Sequence, residues 1–78
     1  MAKTIVVWGA DNCPDCDAMT NRLKTDGHIV SKKDLERELI AEDPMVRMEV
    51  MEAYSQRQAF PVFQVGEKAY TPEEFFAA

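Results

Sequence analysis

Positive charge is scarce in this sequence. Nine lysines and arginines stand against fourteen aspartates and glutamates, with a single histidine, so the net charge is −5. Nucleic-acid binding needs a basic footprint, which this composition does not supply. Long apolar runs are lacking too. The longest near the start, residues 4–10, is far too short for a transmembrane helix and lacks the basic flank of a signal peptide. The expectation is a soluble, cytoplasmic chain with no membrane partner. Cysteine is limited to two residues, both inside one four-residue stretch. A bridge there would close almost no loop, and disulfide stabilisation grows with the length of chain constrained. Stability is therefore a poor reason for the pair, and chemistry a better one. No repeat, linker or low-complexity segment is present. The 78 residues read as one domain, residues 1–78, with room for one core and one site, and as a monomer. An acidic surface suits a protein partner with a basic face.

Residues 4–8, Thr-Ile-Val-Val-Trp, are β-branched and aromatic and nearly continuously apolar, the pattern of a strand buried on both faces. Residues 9–12 read as a loop. Pro14 suits the first position of a helix, where its missing N–H costs nothing. Cys16, Ala18, Met19 and Leu23 give that helix an apolar stripe, and Gly27 stops it. A strand over about residues 29–33 follows, although Ser31 to Asp34 also resembles a capping box. Residues 35–42 read as a helical turn or a loop. Asp43 and Pro44 open the next helix as N-cap and first residue. Val46, Val50, Ala53 and Tyr54 share one of its faces, and Met45, Met48 and Met51 are expected to widen that face as core packing. Residues 60–65 read as a strand headed by Pro61. Gly66 and Glu67 supply a turn, and residues 68–70 return as a hairpin. Thr71, Pro72 and Glu74 fit a helix opening with Thr71 as cap. The order is βαβαββα: a mixed four-stranded sheet flanked by three helices.

Cys13-Pro14-Asp15-Cys16 lies at a strand–helix junction. Disulfide exchange needs a thiolate, and a helix N-terminus favours negative charge on a thiol placed there. Cys13 has that position and is the expected nucleophile. Cys16 is one turn further in and is the expected resolving thiol. Pro14 fixes the turn between them. Asp11, Asp15 and Asp17 oppose thiolate formation, so the activation of Cys13 should be weaker than with basic flanks. A Cys-x-x-Cys pair is also half of a zinc site. The other half is missing, since there is no further cysteine and only His28, at the far end of the first helix. No metal site is expected. His28 reads as a surface residue at a helix end. Pro61 is compatible with two readings, a proline that merely starts a strand and one that faces the dithiol.

The arrangement resembles glutaredoxins across nearly the whole chain. It is most similar to the short glutaredoxin-like redoxins that supply electrons to ribonucleotide reductase, some of them virus-encoded. Trp8 stands five residues before the first cysteine, where that family often has an aromatic. Cys13 to Cys16 match its dithiol motif, and Ala59-Phe60-Pro61 match its Thr-Val-Pro segment. The resemblance implies a thioredoxin-like, glutaredoxin-type α/β fold. It implies a cis peptide before Pro61, with Phe60 pairing backbone-to-backbone with substrate. It further implies a substrate surface that includes Pro14, Asp15, Tyr70 and Thr71. The implied activity is dithiol reduction of protein disulfides such as that of ribonucleotide reductase. Glutathione or a thioredoxin-reductase-type enzyme would be the electron donor, with no bound cofactor.

Three positions depart from the glutaredoxin pattern. Ala10 stands where a basic residue is common, Ala59 replaces the threonine, and Tyr70-Thr71-Pro72 replaces a Gly-Gly pair. These changes remove contacts to glutathione and leave disulfide exchange intact. Two other functions fit a lone dithiol: an iron–sulfur or metal carrier, and a redox-sensing module that switches a partner.

Overall fold

The computed structural model describes residues 2–77. It is an α/β chain with one four-stranded mixed sheet. The elements are β1 (Thr4–Gly9), α1 (Pro14–Thr25), β2 (Ile29–Asp34), α2 (Leu35–Glu38), a 3-10 turn (Leu39–Ala41), α3 (Pro44–Arg57), β3 (Val62–Val65), β4 (Lys68–Tyr70) and α4 (Pro72–Ala77). The strand order is β2-β1-β3-β4. β1 runs parallel to β2 and antiparallel to β3, and β3 runs antiparallel to β4. Among the described residues no helix is long and apolar enough to cross a membrane.

Alternation along the central strand divides the core. Ile5 and Val7 point to one side, where they meet Leu23 of α1, Phe63 of β3, and Phe75 and Phe76 of α4. Val6 and Trp8 point to the other, against Leu35, Leu39, Val46, Val50 and Ala53. Both faces of β1 are thus covered, which is why its sequence runs apolar without a break. Trp8 is fully buried, and its indole N–H donates to Gln64 Oε1 at 2.8 Å. The polar end of the ring is thereby satisfied inside the core. α1 ends as expected near Gly27, whose φ of +93° suits glycine. His28 N–H then closes back on Leu23 O at 3.1 Å.

Two expectations need correction. The helix count exceeds three, because α2 and the 3-10 turn fill residues 35–41. Asp34 caps this extra turn by accepting from Arg37 N–H at 3.0 Å, and buried Leu35 and Leu39 anchor it to the core. The second correction concerns the methionines. Met45, Met48 and Met51 are 58%, 71% and 43% exposed, so they do not widen the core face. At about 100° per residue, Met48 lies roughly opposite Val46 and Val50 around α3. The sheet meets only one side of that helix, and Val46, Val50 and Ala53 already occupy it.

Candidate active site

The register gathers the candidate residues at one end of the sheet. Gly9, the last residue of β1, pairs with Asp34 at the end of β2. Trp8 pairs with Val62, so one step further places Pro61 beside Gly9. Phe63 pairs with Tyr70, so the step toward Val62 brings Thr71 to the same end. The turn that carries Cys13 leaves β1 from this end. Phe60 and Pro61 are therefore brought to the dithiol across the β1–β3 pair, and Tyr70 and Thr71 lie one strand further out.

Cys13 is the N-cap of α1, in an extended conformation with φ −111° and ψ 96°, and Pro14 takes the first helical position. Its Sγ accepts a hydrogen bond from Cys16 N–H at 3.2 Å. A sulfur in this place faces the unpaired donors of the helix start, which favours negative charge on it. Cys13 and Cys16 form a disulfide with their Cα atoms 5.2 Å apart. The two sulfurs differ in access: Cys13 is partly exposed and Cys16 is fully buried. Pro14 and Asp15 are exposed beside them.

The Phe60–Pro61 peptide is cis. Pro61 is buried, and the Phe60 ring lies 5.1 Å from that of Tyr54. Arg57, at the end of α3, holds the segment in place. One of its terminal nitrogens donates to the carbonyls of Phe60 and Pro61. Its Nε reaches both carboxylate oxygens of Glu73, at 3.0 and 3.1 Å. Thr71 is buried, and its N–H and hydroxyl both meet Glu74 Oε1 at 3.1 Å. Glu74 N–H returns a bond to Thr71 Oγ1, which completes the capping box read from the sequence.

The chain matches no family model, no curated protein and no solved structure.

Two of the three aspartates near the dithiol have cationic partners that sequence reasoning did not identify. Asp11 pairs with Arg37, and Asp17 pairs with Lys32 at 2.7 Å. The Asp11 carboxylate, followed by Asp34, holds the Arg37 guanidinium above its ordinary range. Asp15 has no partner among the described residues. An open cleft of about 310 Å³ lies beside the loop, lined by charges of both signs that include Asp11, Lys33 and Arg37. Arg57 was missed as well. It is four residues before Pro61, and only the turn of the chain at Gln58, with φ +56°, sends its side chain back to that segment. His28 stays at the opposite end of α1, where its Nδ1 accepts from Lys3 N–H at 3.1 Å. No group of three His, Cys, Asp or Glu side chains among the described residues is placed to hold a metal ion.

Proposed function

We propose that this chain is a dithiol thiol–disulfide oxidoreductase, a glutaredoxin-like electron carrier that reduces disulfides in proteins. One observation carries the reading: a partly exposed cysteine caps a helix, and its buried partner sits one turn behind it. The Phe60–Pro61 segment, which the β1–β3 register brings to the same end of the sheet, supports it. The enzyme–substrate class suggested by the resemblance is a protein disulfide like that of ribonucleotide reductase.

In the reduced protein the Cys13 thiolate attacks one sulfur of the substrate disulfide. The substrate S–S bond breaks, one substrate thiolate leaves, and a mixed disulfide forms at Cys13. Cys16, deprotonated, then attacks Cys13 Sγ. The second substrate thiolate leaves, and the Cys13–Cys16 disulfide closes. The substrate has gained two electrons and two protons, and the carrier has lost them. Glutathione or a thioredoxin-reductase-type flavoenzyme returns them.

The test follows NADPH consumption with a disulfide substrate in two coupled assays, one with glutathione and glutathione reductase, the other with thioredoxin reductase. At least one should show turnover. Cys13→Ser should abolish it, and Cys16→Ser should spare only glutathione-dependent monothiol chemistry. Full activity in Cys13→Ser, or no turnover in either assay, would sink the proposal. In the second case a sensing module or a metal carrier takes its place.

A further inference from the structure

Gly9 approaches the dithiol more closely than its place in the sequence suggests. A Cβ added to its backbone would fall 2.6 Å from Cys16 Sγ and 3.3 Å from Cys16 Cβ. Gly9 lies in a strand, outside the positive-φ set, so its dihedral angles suit any residue. Space, and not conformation, is what requires glycine here. The atom that fills the space is the resolving sulfur. Cys16 is fully buried, and the helix backbone fixes its Cβ.

The consequence depends on redox state. In the oxidised protein Cys16 Sγ is bonded to Cys13 Sγ and cannot swing away from a new methyl group. In the dithiol the same sulfur is free to turn about its Cα–Cβ bond. Missing bulk at residue 9 is therefore worth more to the disulfide than to the dithiol. We infer that Gly9 is a positioning residue that favours the closed Cys13–Cys16 bond and so keeps the couple on the reducing, electron-donating side. The functional part of this inference rests on the proposed oxidoreductase reading.

The test is a redox titration of Gly9→Ala in glutathione buffers. Reduction of the protein disulfide takes two electrons and two protons from two glutathione thiols, which leave as oxidised glutathione. Overpacking by one methyl group should move this equilibrium toward the dithiol by about tenfold, which is about 30 mV for a two-electron couple. A general effect of alanine on the unfolded chain acts alike on both redox forms and drops out of the comparison. Urea unfolding should accordingly show a lower midpoint for oxidised Gly9→Ala and little change for the reduced form. If oxidised Gly9→Ala does not fold, its reduced form decides: a reduced form that folds supports the inference, and one that fails to fold overturns it. An unchanged glutathione equilibrium, or equal destabilisation of both redox forms, also overturns it. These readouts need no substrate, so absence of turnover in the native chain refutes the oxidoreductase reading without touching the Gly9 contact.

Discussion

Arg57→Met should weaken both the fold and the recognition of protein substrates. The substitution keeps the length of the aliphatic stem and deletes the guanidinium. That group is 15% exposed and donates to the Phe60 and Pro61 carbonyls as well as to Glu73. The Glu73 partner is 65% exposed, so the ion pair itself contributes under about 1 kcal/mol. The larger loss is at the carbonyls, because a hydrogen bond involving a charged group is worth about 1.5–3 kcal/mol. A total of about 2–3 kcal/mol is expected. At roughly 0.05–0.15 kcal/mol per residue, 78 residues have about 4–12 kcal/mol in all. With a urea slope of about 1 kcal/mol/M, the midpoint should fall by about 2–3 M. Arg57→Lys should recover little, since one ammonium cannot fork between a carbonyl and a carboxylate. The KM for a protein disulfide should rise, while the stoichiometric reaction of Cys13 with a small aromatic disulfide stays unchanged. A midpoint within about 0.5 M of the native value, or a lysine variant that behaves as the native chain, would refute the role given to Arg57.

Two further outcomes follow from the charges and the core. Asp15→Asn removes the unpaired carboxylate next to Cys13, and a neighbouring negative charge disfavours a thiolate. Alkylation of Cys13 in the reduced variant should therefore reach its plateau at lower pH and run about two- to threefold faster near pH 6.5 in low salt, with the gain shrinking as salt screens it. Asp11→Asn should do less, because Arg37 already offsets that charge; equal or slower alkylation in Asp15→Asn counts against the argument. In the core, Leu23→Ala should cost about 2–5 kcal/mol, whereas Met48→Ala should stay within about 0.5 kcal/mol, as compared by thermal melting. A large loss at Met48 would show that the methionine face is covered in solution.

Local signals located most of the elements. Thr4 to Trp8 announced β1 through an unbroken apolar run, and Pro14 and Pro44 marked two helix starts because proline loses nothing there. Thr71 and Glu74 spelled out their own capping box. The errors arose where one pattern served two faces. Along α3, the valines recur four residues apart and the methionines three, both helical spacings and offset by one or two residues, so periodicity alone cannot say which set meets the sheet. β2 was ambiguous because it is an edge strand with Ile29 67% exposed, which removes the strong apolar pattern. Gly9 and Arg57 were not legible for a different reason. Their roles depend on contacts fixed by the pairing of Trp8 with Val62 and by the turn at Gln58. Such contacts link distant parts of the chain and leave no local trace.

Burial also orders the proposed reaction. A substrate sulfur can reach Cys13, which is partly exposed, but not Cys16, which Gly9 and the first turn of α1 cover. Attack must begin at Cys13, and resolution must come from the inner side. The return half-reaction meets the same asymmetry. A donor thiolate attacks Cys13 Sγ, and Cys16 leaves into a site without solvent. Burial penalises the Cys16 thiolate both as leaving group in opening and as attacker in closing, so it slows both half-reactions. The close fit of Gly9 over Cys16 acts on the equilibrium instead, toward giving electrons away. Opening requires a donor able to present its thiolate directly at Cys13. The Lys33 and Arg37 side chains of the cleft beside Ala10 are already paired with Glu42 and Asp11, and the Glu74 carboxylate is already seated on Thr71 N–H, which leaves few anchors for a small anionic thiol. A protein donor that supplies its own contact surface fits this site better than free glutathione, and the thioredoxin-reductase arm of the coupled assay should therefore be the faster one.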